Sequence, residues 1–304
     1  MSADGARWTH EESFPIAASA DRVYRALTTP DELERWFAER VEVDLRPGGA
    51  LRFWGRYTLG TPTREGADQS LTLLERSRLG FRWTLLGVPT EVELEVAPVE
   101  PSAKRPGGAQ LTVRHRIDGP LPGPRPRELI EDWWKLSFGN LGAHLAGGEG
   151  LVRPDFSERG AEVRLSVSID APREAVFKAL LEPEQLDKWI ASAARVEPRV
   201  GGAYGFGWRY QIDGRDVSGG PTRILELVPN ERLVVDWPDW RGDSTVTGQT
   251  ITWLLETEGR GTRVTLVHAG FSRPADVSDY PFGWGHFLAS LSALFSESRA
   301  EGGS

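Results

Sequence analysis

Two histidines are the residues of this sequence with the clearest capacity for chemistry. His115 ends the segment 111–115 and His268 ends the similar segment 264–268, so they hold matching positions in two copies of one pattern. Each shares strand parity with apolar neighbours and is expected to point into the interior. A neutral imidazole there can hydrogen-bond a ligand carbonyl or hydroxyl, or act as a base if its pKa lies near neutrality. The alternative is a buried histidine bonded to backbone.

Aromatic side chains are the second group of candidates. The chain has 12 tryptophans and a single methionine. Large rigid aromatics fill cores but also line cavities for apolar ligands, so each candidate has core packing as its alternative. Parity alone does not decide which sheet face the strand aromatics take. The predicted ligand-binding residues of this group are Trp36, Phe53, Trp83, Trp134, Trp189, Trp208, Tyr210, Trp253, Trp284 and Phe287.

One further histidine lies on the last predicted helix. His286 is off the apolar stripe of that helix, and we expect it to meet His268 across a cavity as a polar or acid–base pair. Other signatures are missing: there is no nucleophile elbow, HExxH, Walker loop or dinucleotide fingerprint. The five histidines are widely spaced and cysteine is absent, so we predict no catalytic residue, metal or cofactor.

A long internal repeat must position these residues. Segment 16–53 recurs without a gap as segment 169–206, with Trp36 matching Trp189 and the glycine pair 48–49 matching 201–202. Copies of this length are whole domains rather than solenoid units. We predict a first domain at 8–148, a linker at 149–160 and a second domain at 161–300.

The same order of elements is predicted in both copies. It runs from a half-buried strand through two short helices and several antiparallel strands to a long final helix, at 128–145 and about 280–298. The first strand carries Phe14 and Ile16, and the glycine pairs supply positive φ in a tight turn. This order indicates the α+β class, with a curved sheet wrapped around one helix and a cavity between them.

Composition limits the partners. Acidic residues outnumber basic ones, 44 to 36, for a net charge of −8, and no basic face for nucleic acid is evident. The start of the chain lacks the apolar core of a signal peptide, and no run is long enough to span a bilayer. We therefore expect a cytoplasmic protein.

Several separated motifs carry a resemblance to one family. They lie at residues 23–27, 29–30, 33, 36 and 46–49 in the first copy, and at 176–180, 183, 186, 189, 201–202 and 261–271 in the second. These motifs are similar to the activator-of-heat-shock-protein-90-ATPase homologue (AHSA-type) branch of the START-like (SRPBCC, Bet v 1-like) superfamily. The resemblance implies two tandem helix-grip domains over nearly the whole chain, with Trp36 and Trp189 on a lid over each cavity mouth.

This resemblance leaves three functions open. The leading one is binding or sequestration of a small apolar or amphipathic molecule, oriented by a histidine. The second is a polyketide cyclase/aromatase-like enzyme that uses a cavity histidine. The third is a co-chaperone-like ATPase activator with a protein partner at its surface. The second copy keeps the late Ala-Gly-Phe turn at 269–271 where the first has residues 116–119, so the second is the expected binding copy.

Overall fold

The computed structural model describes residues 7–101, 107–148, 151–158, 160–212 and 214–302, with side chains of the last helix described through residue 296. The chain forms two compact units. The first contains the residues up to 159 together with 274–279, and the second contains 160–273 and the residues from 280 onward.

The first unit packs an antiparallel sheet against one long helix, as the α+β prediction requires. Its five-stranded sheet has the order β1-β7-β6-β5-β4, and β2 and β3 form a separate hairpin. The elements are β1 (Trp8–Ile16), α1 (Ala20–Thr28), α2 (Pro30–Trp36), β2 (Arg40–Val43), β3 (Leu51–Trp54), β4 (Ser70–Leu74), β5 (Arg78–Leu85), β6 (Val88–Val99), β7 (Gly108–Ile117) and α3 (Pro126–Leu145).

The second unit repeats this plan with the sheet order β13-β14-β15-β16-β8. Two short strand pairs, β9–β10 and β11–β12, stand beside the sheet. The elements are β8 (Val163–Ile169), α4 (Arg173–Ala179), α5 (Pro183–Leu186), β9 (Arg195–Val196), β10 (Tyr204–Gly205), β11 (Trp208–Ile212), β12 (Arg215–Gly219), β13 (Ile224–Val228), β14 (Arg232–Asp236), β15 (Thr250–Glu258), β16 (Gly261–Ala269) and α6 (Tyr280–Gly302).

Local sequence explains the main elements. The Ser19 side chain caps α1 by accepting a hydrogen bond from the Arg22 amide, and proline occupies the first turn of α2 and of α3. Along α3, Ile130 and Leu141 are fully buried at helical spacing, so this stripe faces the sheet. Among the described residues, none of the helices combines the length and apolarity needed to cross a membrane.

The first strand is longer than predicted. β1 starts at Trp8 rather than near Phe14, and its inward positions include His10 and Glu12. These polar residues break the apolar alternation that would have marked the strand in the sequence. The consequence is that two ionisable side chains face α3 from the sheet.

The described part of the predicted linker lies against the first unit. We call residues 151–156 the strap. The Asn140 side chain accepts from the Val152 amide at 2.9 Å and donates to the Val152 carbonyl at 2.8 Å. The Arg153 guanidinium donates to the Glu34 carbonyl at 2.9 Å and lies 4.7 Å from the centre of the Tyr57 ring. The strap is therefore fastened to both α3 and α2.

The two glycines of each repeated turn have different roles. Gly48 and Gly201 have φ of +75° and +77°, as predicted for the pair. Gly49 and Gly202 do not have positive φ. A Cβ at Gly49 would lie 2.1 Å from the Asp44 carbonyl oxygen, and a Cβ at Gly202 would lie 2.2 Å from the Glu197 carbonyl oxygen. The second glycine is needed because two backbone segments approach closely, and the prediction of positive φ is wrong for it.

This difference predicts unequal costs for two neighbouring substitutions. Gly48→Ala meets no atom and should lower the free energy of unfolding of the first unit by about 1–2 kcal/mol, the cost of the left-handed backbone. Gly49→Ala forces the turn to shift and should cost more, about 3 kcal/mol or above. Urea unfolding followed by circular dichroism measures both, and equal losses would contradict the close-approach explanation.

Candidate functional site

In the second unit the candidate histidine is fully bonded. The Trp284 indole donates to Nδ1 of His268 at 3.1 Å, and Nε2 of His268 donates to Oε1 of Gln249 at 2.9 Å. The imidazole is fully buried, and the rings of Tyr280 and Phe271 lie 4.4 and 4.5 Å away, centre to centre. His268 is thus a satisfied core histidine, with side chains rather than backbone as its partners.

In the first unit the matching histidine is only half bonded. The Trp134 indole donates to Nδ1 of His115 at 3.2 Å, and Trp83 stacks on the imidazole at 5.8 Å. Nε2 of His115 is buried and forms no hydrogen bond with any described residue. At the strand position of Gln249 stands Thr90, whose hydroxyl donates to the Trp83 carbonyl at 2.7 Å. A buried imidazole nitrogen is therefore available in this unit.

The indole bonds fix the tautomer of both histidines. An indole nitrogen can only donate, so Nδ1 must be unprotonated and the proton of the neutral ring sits on Nε2. Burial lowers the pKa of His268 to about 3, and burial, with a smaller contribution from His10, lowers the pKa of His115 to about 3. Both imidazoles are neutral at pH 7 and are weak bases. Nε2 of His268 already donates to Gln249, whereas Nε2 of His115 is a donor that no described residue accepts from.

The first unit also contains an apolar cavity between its sheet, α2, the β2–β3 hairpin and α3. Its volume is only about 20 Å³. The lining side chains therefore nearly meet across the space. They are all apolar: Leu27, Leu33, Trp36, Phe37, Val41, Leu51, Phe53, Leu79, Phe81, Leu94, Trp134 and Phe138.

The two tryptophans predicted to form lids, Trp36 and Trp189, are held by equivalent hydrogen bonds. The Trp36 indole donates to the Ala26 carbonyl at 3.1 Å, and the Trp189 indole donates to the Ala179 carbonyl at 3.0 Å. The first bond ties α2 to α1, and the second ties the turn that follows α5 to α4. The core-wedge alternative therefore describes both residues, and Trp36 lines the cavity as well.

The strand aromatics of the second unit lie on two different sheets, Trp253 on β15 of the five-stranded sheet and Trp208 and Tyr210 on β11 of the β11–β12 pair. Trp253 is buried, and its indole nitrogen forms no hydrogen bond with any described residue. Trp208 is half-buried, donates to the Ile190 carbonyl at 2.7 Å and stacks on Phe287 at 5.4 Å. The Tyr210 hydroxyl donates to the Trp240 carbonyl at 2.9 Å. In the first unit the corresponding candidates Phe53 and Trp83 are both buried, 5.3 Å apart.

One predicted pairing is wrong. His286 lies on the exposed side of α6, so it does not meet His268 across the interior. Its position off the apolar stripe turns it toward solvent, as helical periodicity requires. Trp284, which lies on the apolar stripe of α6, contacts His268 instead.

Sequence reasoning missed several residues of the first unit. Leu51, Phe81 and Leu94 line the cavity, but single aliphatic or aromatic strand residues carry no signal that separates lining from filling. His10 and Glu12 face inward beside His115, and the parity of Phe14 and Ile16 extended toward the start of the chain would have found them. Among the described residues, no group of three histidine or acidic side chains could hold a metal ion.

Comparison with known proteins gives one family. The family model for "Activator of Hsp90 ATPase homolog 1-like protein" matches residues 17–146 and again residues 170–296. No curated protein matches the sequence.

Three of the similar proteins with solved structures are the following. An AHSA1-like protein from Rhizobium etli is 29% identical over 44% of this chain and 80% of its own, with a TM-score of 0.34. The Aha1 dimer from Colwellia psychrerythraea is 22% identical over 44% of this chain and 96% of its own, with a TM-score of 0.36. DynU16, from the dynemicin biosynthetic locus, is 19% identical over 94% of this chain and 98% of its own, with a TM-score of 0.36.

The lowered pKa values predict acid sensitivity of both units. Unfolded histidine titrates near pH 6.5, whereas His115 and His268 stay neutral in the folded chain down to about pH 3. The unfolded state therefore binds more protons as pH falls below about 6.5, and each histidine should remove up to about 1.4 kcal/mol of stability per pH unit down to about pH 3.

This is measured by urea unfolding between pH 6.5 and 4.5, in wild type and His268→Gln. In the variant, the slope of the unfolding free energy against pH should be smaller by up to the contribution of one proton, about 1.4 kcal/mol per pH unit. Long-range ¹H–¹⁵N NMR of the folded protein checks the cause: both buried histidines should keep a protonated Nε2 and an unprotonated Nδ1 throughout. A titration midpoint near pH 6.5 for either ring would contradict the prediction.

Proposed function

This chain belongs to the family of activator of Hsp90 ATPase homolog 1-like proteins, and we propose that its first domain binds a small apolar or amphipathic molecule. The observation that carries the proposal is the cavity beside α2, whose lining side chains are all apolar. A site of this kind binds by removing apolar surface from water and has few polar groups to set orientation.

The size of the cavity limits the ligand. Its volume of about 20 Å³ is far below that of formed small-molecule sites, which span roughly 300–1,000 Å³. A ligand must therefore push the lining side chains apart. This favours a compact molecule, such as one aromatic ring with a short alkyl chain.

A comparison of the repeats supports the first domain as the binding domain. Strand pairing places Tyr204 at the position of Leu51 and Trp253 at the position of Leu94. Both are fully buried, and the Tyr204 hydroxyl donates to the Leu180 carbonyl at 2.7 Å. The larger rings fill space that the two leucines leave to the cavity. The proposal therefore differs from the expectation that the second copy binds.

The enzyme alternative receives no support from the histidines. A ring with a pKa of about 3 is a poor proton acceptor near neutral pH, and Nδ1 of both histidines is already occupied by an indole. The ATPase-activator alternative concerns a protein surface, and no described contact identifies one. Binding is the function that the geometry favours.

Filling the cavity should abolish binding. Isothermal calorimetry with n-butylbenzene should give a 1:1 complex for the full chain, because the probe is compact and as apolar as the lining side chains. Leu94→Trp imports the residue of the second repeat and should weaken binding more than tenfold. Leu51→Tyr is the second variant, since its hydroxyl can reach a carbonyl as that of Tyr204 does.

The control is Leu45→Trp, which adds the same ring at an exposed position and should leave affinity unchanged. Thermal unfolding of each variant verifies that the domain is folded. Absence of wild-type binding, or equal affinity in wild type, Leu94→Trp and Leu51→Tyr, would defeat the proposal.

A further inference from the structure

We infer that His10, Glu12 and His115 form a subsite for a neutral hydroxyl group, so that the ligand is an amphipathic alcohol or phenol. The inference rests on the proposed function, because it supplies the polar end of a ligand whose apolar part occupies the cavity. We call these three residues the polar subsite. They lie on the inward face of β1 and β7, beneath α3.

Three atoms of the polar subsite are buried without a hydrogen bond to any described residue. They are Nε2 of His10, Oε2 of Glu12 and Nε2 of His115. His10 and His115 are direct cross-strand partners, and Nε2 of His10 lies 3.4 Å from Oε2 of Glu12. Buried polar groups normally have hydrogen-bond partners, because a buried group without one has lost its hydrogen bonds to water and gained none from the protein. Three such atoms on one small face indicate a polar occupant.

The chemistry of the atoms defines that occupant. The indole bond at Nδ1 makes Nε2 of His115 a donor, while the Glu12 carboxylate accepts. A hydroxyl group meets both needs, since it accepts from the imidazole and donates to the carboxylate. Trp134 lines the apolar cavity and also bonds to His115, so the cavity and the polar subsite share one side chain as their boundary.

Nearby charges favour a neutral group over an anion. Lys135 Nζ lies 3.9 Å from Oε1 of Glu12 and 2.8 Å from Oε1 of Glu131. The lysine is thus already balanced by two carboxylates, and a ligand carboxylate would be repelled by Glu12. Lys135 reaches Glu12 from α3 and is itself only 16% exposed.

The second repeat shows the same positions without a subsite. Val163 replaces His10 in the pairing with the strand histidine, and Leu165 follows at the position of Glu12. Nε2 of His268 is taken by Gln249. The fold therefore accommodates apolar residues and a bonded histidine here, and the polar subsite is a property of the first domain alone.

Three probes with the same alkyl chain test the inference: n-butylbenzene, 4-butylphenol and 4-butylbenzoate. Calorimetry on the full chain should show 4-butylphenol binding about tenfold tighter than butylbenzene, the gain expected of a well-placed hydrogen bond. The benzoate should bind most weakly. In long-range ¹H–¹⁵N NMR, the phenol should shift the Nε2–H signal of His115, and butylbenzene should shift it less.

Glu12→Leu, the residue of the second repeat, should reduce the preference for phenol to about twofold and leave butylbenzene affinity within twofold. Glu11→Leu changes the exposed face of the same strand and should keep the full preference. If Glu12→Leu does not fold, His10→Val takes its place. Equal affinity for phenol and butylbenzene, an unchanged preference in the variant or tightest binding of benzoate would overturn the inference. Failure of all three probes to bind would instead overturn the proposed function beneath it.

Discussion

A hydrogen bond from an indole on the long helix to an imidazole on a sheet strand governs the architecture of both units. It joins Trp134 to His115 and Trp284 to His268, between fully buried rings. Such a bond fixes the rotation of the helix as well as its distance from the sheet, which apolar packing alone leaves adjustable. It also requires a neutral imidazole with a free Nδ1, so the architecture and the protonation state of the histidine depend on each other.

From this common bond the two repeats diverge at the other imidazole nitrogen. In the second repeat, Nε2 of His268 donates a hydrogen bond to Gln249, and the rings of Tyr204 and Trp253 are buried in the interior. The first repeat leaves Nε2 of His115 unbonded and leaves space where two leucines stand. The same backbone plan thus carries a fully bonded histidine beside large buried rings in one domain, and an apolar cavity and an unbonded imidazole nitrogen in the other. Side-chain volume and hydrogen-bond satisfaction make the difference, rather than topology.

The sequence predicts the fold well because each local pattern occurs twice, once in each repeat, and the two occurrences support the same assignment. Turn glycines, helix-breaking prolines and the tryptophans of the short helices recur at matching positions, and the α+β class follows from their order. The indole–imidazole bond could not be found by the same interval, because Trp134 follows its histidine by 19 residues and Trp284 by 16. Faces of strand aromatics such as Trp208 depend on pairing partners that periodicity does not identify. The smaller volume of leucine relative to tryptophan indicates a cavity only when the neighbouring side chains are known.

The pair of inward polar residues on β1, which no apolar pattern marks, is also the feature that the fold needs least. Val163 and Leu165 show that apolar side chains serve these positions in the same architecture. Leaving buried donors and acceptors unbonded costs about 1–3 kcal/mol for each group, a large share of the stability of a domain. Local signals fail most often where a sequence meets a demand other than folding. His10 and Glu12 therefore meet no requirement of the fold that Val163 and Leu165 do not also meet, which supports the binding role proposed for them.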